Sequence, residues 1–251
     1  MSESIEESAR RAAAAIAKSG RILAFTGAGI SVESGIPPFR GEGGVWNRYD
    51  PSLLELSTFL ARPKASWEAI REIFYESFGK AQPNAAHRVL ARWEEEGRLD
   101  FLVTQNIDGL HRAAGSKRLA EFHGAMGELA CTSCGTRYPA SRDLLEDLPP
   151  SCPSCGGLLK PDFVFFGEGI PAAALESAFA AAERADLCIV VGSTGTVYPA
   201  ASVPLSVKRR GGILVEVDPG ETEFSPLADI HVRAGASEAL EKIDMFLRKG
   251  T

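Results

Sequence analysis

Short apolar runs at 21–26, 101–104, 119–122, 187–191 and 213–217 recur along this chain, with helical segments between them. Several are apolar almost throughout, the pattern of strands buried on both faces of a parallel sheet. Helices are expected at 84–96, capped by Asn84 and stopped by Gly97, and at 171–184, 199–210 and 237–248. Another opens the chain, where Ser4 and Glu7 form a capping-box pattern ahead of an Ala-rich stretch that ends at Gly20. This alternation constrains the chain to a doubly wound α/β domain.

Two stretches interrupt the rhythm. Residues 41–83 carry Trp46, Tyr49, Phe59, Trp67, Phe74, Tyr75 and Phe78 with no clear strand, and residues 125–161 are rich in Cys, Gly, Pro and Ser. Both read as insertions that pack together as one small module. Within the second, Cys131-x-x-Cys134 and Cys152-x-x-Cys155 are 17 residues apart, each pair on a glycine-marked turn. That is ribbon spacing for a four-thiolate zinc site. Four thiolates leave no position for water or substrate, so the metal is expected to be structural and to fold a segment with little core of its own. Two redox pairs or two disulfides are the alternatives; a reducing compartment and the lack of a thioredoxin-like context disfavour them. Cys188, inside the run 187–191, reads as a buried strand residue.

The first apolar run empties into Gly27-Ala28-Gly29-Ile30-Ser31, followed by Gly35-Ile36-Pro37-Pro38-Phe39-Arg40. Small residues after a strand let backbone N–H groups approach a phosphate, and an arginine can fork onto the same ligand. The segment reads as a nucleotide site, or else as a plain glycine turn from strand to helix. It is not the usual dinucleotide fingerprint, because position 32 is Val, and no Gly-Lys-Ser or Gly-Lys-Thr occurs.

Other strand ends carry polar groups where α/β sheets bind ligands. The run 101–104 passes into Gln105-Asn106-Ile107-Asp108, with Asp108 also placed to cap the next helix. Phe122-His123-Gly124 follows another run, and imidazole suits proton transfer near neutrality. Gly192-Ser193-Thr194 and Asp218 end two more. Val164-Phe165-Phe166-Gly167-Glu168 is an extended apolar stretch able to pair with a peptide by strand addition, or else a core strand. Three other histidines read as structural: His87 on the helix after Asn84, His111 on a helix, and His231 on a late edge-like strand without polar company.

The composition, 45% hydrophobic and 24% charged, is that of a soluble globular enzyme. A net charge of -6 argues against broad attraction to nucleic acid or an anionic membrane. With acidic residues at the N-terminus and no long apolar stretch, neither a secretory signal nor a membrane span is expected, and the location reads as cytoplasmic.

Taken in order from about residue 20 to 245, these motifs closely resemble the sirtuin family of NAD-dependent protein deacylases. The resemblance implies a Rossmann-like domain made of 1–40, 84–124 and 162–251, with a helical insertion at 41–83 and a zinc ribbon at 125–161 forming the small module. It implies a cleft that binds NAD and an acetylated lysine of a protein or peptide held extended along Val164, Phe165, Phe166, Gly167 and Glu168. Ala28, Gly29 and Arg40 would hold the pyrophosphate; Gln105, Asn106 and Asp108 would line the nicotinamide-ribose pocket; Ser193, Thr194 and Asp218 would face the adenosine. Gly27, Ser31, Phe39, Trp46, Ile107 and Gly192 complete the implied cofactor set, and His123 and Asn106 the catalytic one. The implied reaction has the acyl oxygen attack the anomeric carbon as nicotinamide leaves; His123 then deprotonates a ribose hydroxyl, directly or by relay, and water completes hydrolysis to lysine and O-acetyl-ADP-ribose.

Ser193-Thr194 reverses the family's more frequent Thr-Ser, and Asp218 stands where Asn is common; both remain able to bind hydroxyls. Members that remove succinyl or malonyl groups carry a Tyr and an Arg three residues apart, at places that fall here near Ile70 and Ile73, with Arg71 close by. Neutral acyl groups such as acetyl are therefore expected. A mono-ADP-ribosyltransferase using the same pocket and a zinc-ribbon nucleic-acid adaptor are the competing classes, the acidic charge counting against the second.

Overall fold

The computed structural model describes residues 3–39 and 43–250. In chain order its elements begin with α1 (Ile5–Lys18), β1 (Ile22–Thr26), α2 (Leu56–Ala61), α3 (Pro63–Ile70), α4 (Ala85–Glu95), β2 (Phe101–Thr104), α5 (Leu110–Ala114) and β3 (Leu119–Glu121). There follow β4 (Gly124–Cys131), β5 (Arg137–Pro139), β6 (Leu159–Phe163), α6 (Ala172–Arg184), β7 (Leu187–Val191), α7 (Ser202–Arg209), β8 (Ile213–Val217), β9 (Ile230–Val232) and α8 (Ala236–Lys249). The predicted caps form: Ser4 Oγ accepts from Glu7 N at 3.2 Å, and Asn84 Oδ1 accepts from His87 N at 3.3 Å.

The large sheet has six strands in the order β3-β2-β1-β7-β8-β9, all parallel. Its central strands alternate in the way their two-sided burial requires. Ala24, Ile189 and Val191 face one layer with α1, α4 and α8, while Leu23, Phe25, Cys188 and Val190 face the other with α6 and α7. Burial pushes the Cys188 thiol far above its usual range, in keeping with a strand residue that only packs.

The second sheet, β5-β4-β6, is antiparallel. Its Leu129 and Leu159 share one apolar cluster with Phe59, Trp67, Ile70 and Phe74 of the helical insertion. Trp67 Nε1 donates to the Leu159 carbonyl at 2.9 Å, and Tyr75 OH to the Met126 carbonyl at 2.9 Å. Aromatic residues at helical spacing are thus the packing surface on which the cysteine-bearing hairpins sit.

His87 and His111 are buried between α4 and α5, with ring centroids 4.8 Å apart. His87 Nδ1 pairs with the Asn84 cap, and His111 Nε2 lies 2.9 Å from Thr26 Oγ1. Burial lowers both pKa values, that of His87 to about 4. Once unfolded, each ring returns to about 6.5 and takes up a proton that the folded protein excludes. Stability should therefore fall as pH drops from about 6.5 toward 4, by about 1.4 kcal/mol per pH unit for each ring. Denaturant titrations at a series of pH values check this. His111→Gln should reduce the slope by one ring's share, and a midpoint unchanged between pH 7 and pH 5 would contradict it.

Candidate active site

Ligand sites in open α/β sheets lie where the strand order reverses, beyond the carboxyl ends of the strands. Here that place is between β1 and β7, since the chain moves outward from β1 to β2 and β3 and later returns to the other side of β1. The loops after these two strands are pressed together. Gly29 N donates to Gly192 O at 2.9 Å, and a Cβ on Gly29 would stand 2.5 Å from Gly192 Cα. Gly192 also has φ +62°, so neither position accepts a side chain.

Above these strand ends lies a cavity of about 710 Å³, bounded on its other side by the small module. Gly27, Ala28 and Gly29 after β1, Gln105, Asn106 and Ile107 after β2, His123 after β3, Gly192, Ser193 and Thr194 after β7, and Asp218 after β8 all line it. So do Phe39, Trp46 and the segment from Val164 to Glu168. Five strand ends thus deliver the expected polar groups to one crevice. Ser31 and Asp108 are not in its lining but stand behind Asn106. Asn106 Nδ2 donates to Gly27 O at 3.1 Å and Ser31 Oγ at 3.2 Å, and Ser31 Oγ donates to Asp108 Oδ2 at 2.7 Å. Asp108 also accepts from Leu110 N at 2.9 Å; burial raises its pKa against these hydrogen bonds. Arg40 lies outside the described residues.

His123 is the imidazole in this lining, and its tautomer follows from its surroundings. Nδ1 is 3.0 Å from the Gln105 carbonyl oxygen, which can only accept, so Nδ1 carries the proton and Nε2 keeps its lone pair. Burial lowers the pKa, with the carbonyl opposing. The ring is therefore neutral at pH 7 and able to take a proton.

The wall nearest the small module is apolar and aromatic. Phe39 lies 5.3 Å from Trp46 and 6.4 Å from Phe74 between ring centroids, and Trp46 lies 6.3 Å from Phe166. Among the described residues no Lys or Arg lines the cavity, whereas Glu33, Glu168 and Asp218 do. Ile70 and Ile73 are buried in the module core, and Arg71 turns away to the Leu145 carbonyl and Glu76. Nothing described at these positions reaches the cavity to hold an acyl carboxylate.

The four cysteines of the small module converge. Cys131 and Cys155 sulfurs are 3.5 Å apart, those of Cys134 and Cys152 3.8 Å, and all four lie within 4.8 Å of one another. Sulfurs about 2.3 Å from a tetrahedral ion stand about 3.8 Å apart, so the set fits zinc. No disulfide is formed; all five cysteines are free.

Two features differ from the sequence reading or escape it. His231 does have polar company: the β8–β9 register sets it opposite Glu216, whose buried carboxylate is 3.0 Å from its Nδ1 and 3.0 Å from an Arg233 nitrogen. Ser225 and Thr222 also donate to that carboxylate. The second is the turn Ala234-Gly235-Ala236, which adds the N-terminus of α8 to the cavity lining. A small-residue turn after a strand, the signal used elsewhere, was present there.

Comparison with known proteins agrees with this layout. A family model described as the Sir2 family matches residues 27–199. A protein of Aeropyrum pernix named NAD-dependent protein deacylase is 46% identical over 242 residues, covering 96% of each chain. A Sir2 homologue solved with NAD superimposes with a TM-score of 0.89 at 42% identity, covering 95% of this chain and 93% of that one. A Sir2 variant solved with a deacetylated p53 peptide and 3′-O-acetyl ADP-ribose gives a TM-score of 0.90 at 36% identity, covering 96% and 98%.

Proposed function

Because the chain belongs to the Sir2 family, we propose that it is an NAD-dependent protein lysine deacetylase that moves an acetyl group from acetyl-lysine to ADP-ribose and releases nicotinamide. The observation that carries this reading is His123, a neutral imidazole with an available Nε2, in one crevice with the strand-end loops and the 164–168 segment. NAD is consumed as a substrate. Gly27, Ala28 and Gly29, with Arg40, would hold its pyrophosphate; Gln105 and Asn106 its nicotinamide ribose, with Ser31 and Asp108 bracing Asn106; Ser193, Thr194 and Asp218 its adenosine. His123 takes the proton of a ribose hydroxyl, and the aromatic wall of Phe39 and Trp46 excludes water from the reacting carbon. The peptide lies extended along Val164 to Glu168. Zinc on the four cysteines would hold the ribbon's fold; the saturated ligand set leaves it no part in the chemistry.

Two units support the division of labour, a Rossmann-like domain of 1–40, 84–124 and 162–251 and a module of 41–83 and 125–161. Their apolar clusters are separate, although Ile36, Leu110, Phe163 and Phe165 pack with the module and tie it to the cleft. A cytosolic setting suits four thiols kept reduced for metal. Among the described residues no helix is long and apolar enough to cross a membrane. The net charge of -6 supports the absence of direct nucleic-acid binding.

The acyl preference is testable with peptides carrying acetyl, butyryl and succinyl lysine. With no described cation in the lining, succinyl turnover should be at least about tenfold slower than acetyl turnover, the cost of one unpaired buried charge. Equal rates would contradict a pocket for neutral groups. Label transferred from NAD to protein without any acyl peptide would favour the ADP-ribosyltransferase instead.

A further inference from the structure

We propose that Lys160 is a positioning residue whose ammonium holds the 163–168 segment in the shape that receives the acetylated peptide, and so sets peptide affinity from outside the reaction. This rests on the reading of that segment as the peptide's partner. Lys160 lies on β6 and is only 9% exposed, unusual for a lysine. Its Nζ donates to the Pro161 carbonyl at 2.8 Å, the Phe163 carbonyl at 2.6 Å and Glu168 Oε2 at 3.0 Å. Those three acceptors use all three ammonium protons. The same nitrogen stands 4.4 Å from the centroid of the Phe165 ring.

Glu168 closes the arrangement, since its Oε2 also accepts from Phe165 N at 2.9 Å. One ion pair, its lysine buried and its carboxylate half-buried, therefore gathers the start, the middle and the end of the segment. This tie is needed because β6 ends at Phe163, and beyond it the chain has no continuous strand partner. The remaining main-chain bonds go to different elements. Val164 N donates to His123 O at 2.8 Å, Phe166 N to Leu54 O at 2.9 Å, and Leu56 N to Phe166 O at 3.0 Å. The segment thus bridges the residue proposed as base and the helical insertion, and Val164, Phe166 and Gly167 face the cavity. Burial lowers the ammonium's pKa, and the Glu168 carboxylate opposes this in part. Without the lysine, the carboxylate keeps the Phe165 N–H but loses its counter-charge, two carbonyls lose the ammonium as donor, and the segment loses the contact that joins its ends.

The test compares wild type, Lys160→Met, Lys160→Arg and Glu168→Gln by anisotropy of a fluorescent acetyl-lysine peptide and by steady-state kinetics with peptide and NAD varied separately. Lys160→Met keeps the apolar stem on Phe165 and should raise the peptide Kd and KM about tenfold, with the KM for NAD unchanged. Lys160→Arg should restore most of the loss. The double variant K160M/E168Q should cost less than the sum of the single ones, because both remove the same pair. Should Lys160→Met fail to retain zinc or to unfold cooperatively, Lys160→Gln, which keeps a donor for the carbonyls but loses the charge, takes its place and should show the same selective rise in peptide Kd. An unchanged peptide Kd, a parallel rise in the KM for NAD, or additive losses would overturn the proposal. A wild type that binds the peptide but does not deacetylate it would overturn the deacetylase reading instead, and the Kd comparison would still judge Lys160.

Discussion

Replacing His123 by Ala is expected to lower kcat by about 10²–10⁴-fold, the range that a positioned general base supplies. The loss should fall on turnover, with zinc content and thermal unfolding close to wild type, because among the described residues the ring makes one polar contact with the scaffold, to the Gln105 carbonyl. That contact fixes the tautomer, while burial sets the pH behaviour against it. With Nδ1 protonated and burial lowering the pKa, the base form persists through neutrality and is lost only below the usual imidazole value of about 6.5. The wild-type rate should therefore hold level from pH 8 to about 6.5 and fall on the acidic side. A His123→Ala protein that retains a substantial fraction of wild-type kcat would refute the assignment, whatever its pH profile.

The second large effect concerns the metal. Cys152→Ser, or removal of zinc from wild type by a strong chelator, should unfold the small module and abolish deacetylation. Binding energies of structural zinc are about 10–16 kcal/mol in small domains, far more than the β5-β4-β6 sheet can supply from its own short strands. The consequence reaches the active site because the module's apolar cluster includes Phe163 and Phe165, with Phe39 packed against it, and all three line the cavity. Circular dichroism of the zinc-free protein should show partial loss of structure, the parallel sheet keeping its own two apolar layers. Activity that persists in protein shown to be metal-free would contradict a structural role.

Much of this molecule was legible before its coordinates. The runs of β1 and β7 stand out because every residue of each is buried, which favours apolar residues on both faces; β2 and β8 are buried in all but their first residue, while the edge strand β3 is only half-covered. The residues after them were legible for the complementary reason: a polar group at a buried strand's end needs a partner. The module's own strands were not anticipated. β4 pairs with β5 and β6 through residues such as Glu128, Arg137 and Lys160, with no apolar alternation to mark them, and the ribbon's order comes from its cysteines. The Glu216–His231 pair was hidden differently. Its members are on separate strands, and only the register of two parallel strands brings them opposite. The helix expected at 199–210 begins later, at Ser202. The apolar stretch from the end of β6 proved to be neither a plain core strand nor free: Phe163 and Phe165 are buried and Phe166 is exposed at the cavity.

This one crevice couples loss of nicotinamide from NAD to removal of an acetyl group. Mass spectrometry of a reaction containing the protein, NAD and an acetyl-lysine peptide tests it directly. Nicotinamide, deacetylated peptide and O-acetyl-ADP-ribose should form in equal amounts, and omitting the acetyl group should stop nicotinamide release. Free acetate without acetylated ADP-ribose, or nicotinamide formed at the same rate from an unacetylated peptide, would contradict the claim.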